Sequence, residues 1–248
     1  MASLNGQRHS VAAGVVLASG YGSRFGAELN KVYLRLAGRR LVSWSLDALG
    51  HAAEVGVLVL VIRPQDRQYA DQVIAEEIDR PGIGVDVEIV HGGGTRQESE
   101  LMALRHLAER ITAGLVDTVL IHDAARPLVS TELVDTVLRT AREYGGAIPG
   151  VPRDDLVVAG ADGTLAGGGP LTDVVAVQTP QGFRAAPLLA AYEAAAAEEF
   201  AGTDTAACMA RYSDVPVRCI AGEQRNFKVT YAHELVLAEQ VLAGRQPG

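Results

Sequence analysis

Val55-Gly-Val-Leu-Val-Leu-Val-Ile62 is an unbroken apolar run, too short for a typical helix and rich in β-branched residues. A run of this kind suits a strand buried on both faces, inside a parallel sheet covered by helices. Outward from it the chain alternates. Residues 11–18 read as a first strand, 85–90 and 118–121 as further strands, and 146–149 as another. Helical stretches are expected between them at 66–80, 96–112 and 131–144, the last with Ser130 or Thr131 as N-cap. The rhythm breaks over 150–178, where Pro152, Pro170 and Gly167-Gly-Gly169 predict an extended hairpin arm or a small subdomain. It resumes with an alanine-rich helix at 185–199, a short helix near 204–211, a strand at 215–220 and a last helix at 231–243; the tail at 244–248 is expected to fray. This order predicts one α/β domain spanning 1–248, with a mostly parallel, twisted sheet.

The 248 residues can bury a large core, and their net charge of -8 argues against broad nucleic-acid binding. Two cysteines with no C-x-x-C pairing suit reduced thiols in a cytoplasmic protein. The first ten residues contain no apolar core of a signal peptide, no apolar run is long enough to span a membrane, and the six histidines show no zinc-ligand spacing. The basic residues are more telling: of 22, only Lys31 and Lys228 are lysines. Lysine is a compact point charge and arginine a broad planar fork, so the two survivors mark places where a point charge is needed. The competing reading is two accidental survivors on a solvated surface.

Lys31 closes a loop that follows the first strand and carries Gly20, Gly22 and Gly26. Glycines there let the backbone approach a ligand. The spacing G-x-G-x-x-x-G is not the dinucleotide fingerprint, the next good helix begins only near Leu41, and Arg63 stands where a ribose-binding acid is wanted. No Gly-Lys-Ser/Thr follows, which argues against a Walker loop. Backbone N–H groups with Arg24 and Lys31 suit a wrapped triphosphate; a flexible linker is the alternative.

Ala18-Ser-Gly-Tyr-Gly-Ser-Arg-Phe-Gly26 with Asn30-Lys-Val-Tyr-Leu34 resembles the nucleotide loop of sugar-phosphate nucleotidyltransferases, A-A-G-x-G-x-R-M-G followed by P-K-Q-Y-L. Four later segments narrow the resemblance: Gly92-Gly-Gly-Thr-Arg-Gln-Glu-Ser99, His122-Asp-Ala-Ala-Arg-Pro127, Val177-Gln-Thr-Pro-Gln-Gly-Phe183 and Asn226-Phe-Lys-Val-Thr230. In that order they are similar to the 2-C-methyl-D-erythritol 4-phosphate cytidylyltransferase family and its ribitol-5-phosphate relatives, over about residues 11–243. The resemblance implies a Rossmann-like, GT-A-like nucleotidyltransferase fold with a protruding β-arm at 150–178, CTP as co-substrate, Mg²⁺, small-molecule substrates and a homodimer built through the arm.

It also implies roles. Arg24, Lys31 and Lys228 would be catalytic, the first two on the β,γ and bridging oxygens and Lys228 on the α-phosphate. Ala18, Ser19, Gly20, Gly22, Gly93, Arg96, Ser99, Asp123 and Ala124 would bind nucleotide. Arg153 and Asp155 in the arm, with Thr179 and Thr230, would bind the acceptor. Asp123 is the best carboxylate for the metal or the ribose, with capping of the following turn as its alternative role. The glycines at 92–94 suit either a base site or a plain turn before a helix. Arg126 either touches ligand or pins the turn at Asp123. On the acceptor side the chain departs from the family: Leu156 and Val158 replace a threonine and a lysine, Leu171 replaces an arginine, and Asn30 replaces a proline. Three readings follow: a methylerythritol phosphate cytidylyltransferase, a cytidylyltransferase for another polyol phosphate, or a weakly active or non-catalytic nucleotide-binding paralogue.

Overall fold

The computed structural model describes residues 10–20, 30–79, 83–162, 164–165, 173–200 and 202–244. In chain order the strands are β1 (Val11–Leu17), β2 (Arg35–Leu36), β3 (Arg39–Arg40), β4 (Val55–Ile62), β5 (Val87–His91), β6 (Val116–Asp123), β7 (Gly146–Pro152), β8 (Val175–Val177), β9 (Gln181–Arg184) and β10 (Val217–Ala221). The α-helices are α1 (Leu41–Gly50), α2 (Arg67–Val73), α3 (Arg96–Thr112), α4 (Thr131–Tyr144), α5 (Ala185–Ala197), α6 (Thr205–Tyr212) and α7 (Ala232–Ala243).

Eight strands form the main sheet in the order β10-β7-β9-β6-β1-β4-β5, with β8 added beside β7; β2 and β3 make a separate ribbon. The pairs β6–β1, β1–β4, β4–β5 and β10–β7 are parallel. β9 runs antiparallel to both β6 and β7, so the sheet is mixed but mostly parallel. The side-chain period of two divides β1 between two cores. Ala12 and Val16 face a layer built with α1, α2 and α4, whereas Ala13 and Val15 face α3, α5 and α6. Central strands therefore need apolar residues at successive positions, which is why β4 reads as an unbroken run. Gly14 allows α1 to approach closely, since a Cβ there would lie 2.8 Å from Leu49 Cδ2. A third, smaller cluster of Leu36, Leu41, Leu128 and Val229 lies under α7.

Cap chemistry sets the helix starts. Thr95 Oγ1 accepts from Glu98 N at 3.1 Å while Glu98 reaches back to the Thr95 N–H, a reciprocal capping box that opens α3 at Arg96. Ser130 caps α4, accepting from Leu133 N at 3.0 Å. The helix expected at 66–80 is shorter: α2 ends at Val73, and Ile74–Ile78 continues as one wider π turn. Beyond β7 the chain runs outward. Ala159 bridges Leu165 antiparallel, and β8 returns against 150–152.

Candidate active site

The C-terminal ends of β1 and β6 and the N-terminus of α3 converge on a cleft of ≈ 340 Å³. Strand C-terminal ends are where an open α/β sheet binds ligands. Lys31 and Lys228 both line this cleft, although nearly two hundred residues separate them in the chain. Ala18, Ser19, Gly20, Gly93, Arg96, Asp123 and Thr230 line it as well. Gly22 and Arg24 of the glycine loop, and Leu171 of the arm, lie outside the described residues.

Asp123 ends β6 at the cleft floor, and both its oxygens are engaged. Lys228 Nζ donates to Oδ2 at 2.7 Å, and Arg96 Nη1 donates to Oδ1. Burial alone would raise the Asp123 carboxyl, but the Arg96 guanidinium and the Lys228 ammonium outweigh it and hold the group well below the usual carboxylate range. Lys228 is placed by the backbone: Val229 N donates to Ala125 O at 2.8 Å, laying 228–230 beside the loop after β6.

That loop is pinned from beneath. The Thr179 hydroxyl accepts from Asp123 N at 3.0 Å and donates to His122 Nδ1 at 3.0 Å, while His122 Nε2 donates to Arg126 O at 3.2 Å. These partners suit a neutral imidazole, and burial holds its pKa down at about 4. Arg126 donates to Asn226 O at 2.8 Å and Val177 O at 3.2 Å, so it ties three segments together. Of its two expected roles, the pinning one is what the geometry displays.

Ser99, Ala124 and Thr179 are buried and stand behind the cleft wall. Ser99 accepts from the Ser19 hydroxyl at 2.9 Å and donates to Thr95 O at 2.8 Å, which couples the glycine loop to α3. Gly92 and Gly93 are required for this closeness, since a Cβ on Gly92 would lie 2.6 Å from Ser99 Oγ. Glu98 Oε2 also accepts from Gly94 N at 2.7 Å. The glycine turn is thus a helix cap and a cleft wall at once. In the arm, Arg153 and Asp155 are exposed and pair with each other through two hydrogen bonds of 2.6 and 2.7 Å; neither lines the cleft.

Two arrangements are not foreseen from the sequence. Asn30 Nδ2 donates to Ala18 O at 2.6 Å and to Asp66 Oδ2 at 3.3 Å, closing the base of the glycine loop, and Arg63 holds Asp66 bidentately at 2.6 and 2.7 Å. Asn30, at the position of a proline in the family pattern, thus holds its turn by side-chain hydrogen bonds. The second is Glu100, one turn below Arg96 on α3; its i,i+4 spacing from Arg96 was the available signal.

Among the described residues no cluster of three or more metal-ligating side chains occurs. Asp123 is the carboxylate at the cleft floor; with its oxygens on Arg96 and Lys228 it has only its remaining lone pairs to offer, which fits Mg²⁺, an ion that takes few protein ligands and keeps waters and phosphate oxygens. Among the same residues no helix is long and apolar enough to cross a membrane.

The model of the 2-C-methyl-D-erythritol 4-phosphate cytidylyltransferase family, IspD, matches residues 12–244. A cytidylyltransferase of that name from Geobacter metallireducens is 36% identical over 233 residues, covering 94% of this chain and 98% of the relative. A bifunctional IspD/IspF enzyme from Chelativorans is 33% identical over 239 residues, covering 95% of this chain and 56% of the relative. The crystal structure of 4-diphosphocytidyl-2C-methyl-D-erythritol synthase from Anaerococcus prevotii superposes with a TM-score of 0.81 at 25% identity, covering 94% of this chain and 96% of that one. The family model spans nearly the whole chain and the relatives match over its length, so the chain belongs to the 2-C-methyl-D-erythritol 4-phosphate cytidylyltransferase family of CTP-dependent nucleotidyltransferases.

Proposed function

We propose that the cleft joins CTP and 2-C-methyl-D-erythritol 4-phosphate, giving 4-diphosphocytidyl-2-C-methyl-D-erythritol and pyrophosphate, a step of non-mevalonate isoprenoid synthesis. The observation that carries this is the Arg96–Asp123–Lys228 array facing a cleft that Lys31 also lines. A phosphate oxygen of the acceptor forms a bond to the α-phosphorus of CTP, and the bond from that phosphorus to the β-bridging oxygen breaks. The nucleophile is already an anion, so no general base is needed. The obstacle is repulsion between anions and charge accumulating in the transition state, and positioned cations address both.

Lys228 serves the α-phosphate, and Lys31, with Arg24 from the loop, serves the β,γ end. Gly93, Arg96, Ser99 and Ala124 shape the base and ribose site, with Ser99 and Ala124 acting from behind its wall. Asp123 is the residue that would hold Mg²⁺, and the ion would supply neutralisation of phosphate charge when bound. The chain is a single domain whose arm at 150–178 makes a homodimer. Support comes from Val157, Val158 and Leu165, which are 70%, 53% and 69% exposed, unlike side chains of a finished surface. Arg153 and Asp155, with Thr179 and Thr230, serve the acceptor. Unpaired Cys208 and Cys219 suit a cytoplasmic setting.

The test is pyrophosphate release with Mg²⁺, each of the four ribonucleoside triphosphates, and methylerythritol or ribitol phosphate. CTP with methylerythritol phosphate should turn over best, and Arg153→Ala should raise the acceptor KM about fivefold with the CTP KM unchanged. Preference for ribitol 5-phosphate would replace this reading with the other polyol phosphate.

A further inference from the structure

Behind the cleft wall lies a carboxylate that the reaction does not touch. Glu100 is 1% exposed, one helical turn after Arg96 on α3. Its Oε1 stands 2.9 Å from Arg96 Nε and accepts from the Thr205 hydroxyl at 3.1 Å. Its Oε2 accepts from the Tyr192 hydroxyl. Tyr192 on α5 is 1% exposed, and Thr205, the first residue of α6, is fully buried. Arg96 thus lies between two carboxylates, with Nε at Glu100 and Nη1 at Asp123.

Burying a carboxylate is costly, and a neutral amide would join the three helices as well. Burial pushes the Glu100 carboxyl up, while the Arg96 guanidinium and the Tyr192 and Thr205 hydroxyls favour its charged form; what that charge adds is its pull on the guanidinium. With Asp123 as its lone partner, the Arg96 fork would close bidentately on that group, competing with Lys228 for it. With Glu100 Oε1 drawing the guanidinium from behind as an ion pair 2.9 Å from Nε, rather than as a hydrogen-bond partner, Arg96 meets Asp123 through a single nitrogen, and Asp123 Oδ2 is left to Lys228.

We propose that Glu100 is a positioning residue for CTP binding, fixing the orientation of the Arg96 guanidinium at the cleft wall through the Tyr192 and Thr205 hydroxyls. The inference takes the cleft to be the CTP site, as proposed above.

The experiment is a double-mutant cycle on the full chain. Glu100→Gln keeps the size and hydrogen-bonding capacity and removes the charge. It should raise the CTP KM about tenfold, leave the acceptor KM unchanged and hold the melting temperature. In an Arg96→Ala background it should add nothing, because the residue acts through Arg96. A CTP KM like the wild type's, or effects that add in the two backgrounds, would overturn the idea and leave Glu100 a stitch between helices. Should Glu100→Gln fail to fold, Tyr192→Phe reads the same linkage: a rise of about two- to threefold in CTP KM that vanishes in Arg96→Ala supports it, and no rise overturns it. A second readout is independent of turnover. Calorimetry should show the CTP Kd raised about tenfold by Glu100→Gln, with no further rise when Arg96→Ala is already present; an unchanged Kd overturns the proposal. Wild type lacking CTP turnover would overturn the assigned reaction instead, with calorimetric CTP binding still testing Glu100.

Discussion

The cleft and the arm are built on opposite principles. At the cleft the polar groups find partners from distant parts of the chain: Lys228 on Asp123, Thr179 on His122, Arg126 on Asn226. Between 153 and 165 in the arm, among the described residues, the side-chain pairs are local, Arg153 with Asp155 and Asp162 with Thr164, and Val157, Val158 and Leu165 are exposed. A cleft must present charges in fixed positions before the nucleotide arrives, and long-range hydrogen bonds provide that order. In the proposed homodimer, an arm that docks on a second copy can leave its ordering to the contact itself. Under the proposed function, the difference places catalysis within one chain and acceptor binding where two chains meet.

The largest effect expected is at the two lysines. Lys31→Ala and Lys228→Ala should each lower kcat/KM by about 10² to 10³ with the melting temperature little changed, measured by pyrophosphate release. Lys228→Arg should also be impaired, because a guanidinium would take Asp123 bidentately and no longer offer a point charge to the α-phosphate. A fully active Lys228→Arg enzyme would show that the contrast in lysine and arginine usage carries no chemistry.

The arm comes next. Placing charge at Val157 and Val158 together should weaken the dimer by about 10², from roughly 1.5 kcal/mol for each valine buried at the contact. Sedimentation reads the monomer fraction, while calorimetric CTP binding should stay as in the wild type. Loss of CTP binding along with the dimer would erase the division between the two regions.

The smallest effect concerns the pinning beneath Asp123. His122 is held near pKa 4 in the fold by burial, against about 6.5 when unfolded. Above pH 6.5 both states are neutral and nothing changes. As the pH falls toward 4 the unfolded chain takes up a proton that the folded chain refuses, so stability declines, by about 2 kcal/mol between about pH 7 and pH 5. Urea midpoints at the two pH values measure it, and His122→Asn should flatten the slope. An unchanged slope would mean that other groups set the acid sensitivity of the cleft floor.

Much of this architecture was legible in the chain because it rests on local rules. The apolar run at 55–62 announced a doubly covered strand, and α3 and α4 begin where the Thr95 capping box and Ser130 place them. The reversed strand β9 was not legible. Gln181–Arg184 is short, and its direction depends on fitting between β6 and β7, a non-local pairing with no periodic signal. The ribbon of β2 and β3 is too brief to leave a pattern.

The same division holds for the site. Motifs in a fixed order carried by themselves the resemblance to a family that uses CTP, and two lysines among 22 basic residues pointed to where phosphate charge would be met, because residue type carries charge. Which groups those charges meet was decided only by the tertiary structure. Asp123 is shared between Arg96 and Lys228, Arg126 turns to backbone carbonyls, and Glu100 comes to lie behind Arg96. Burial and competition among partners settle such pairings, and both arise only when segments far apart in the chain pack together.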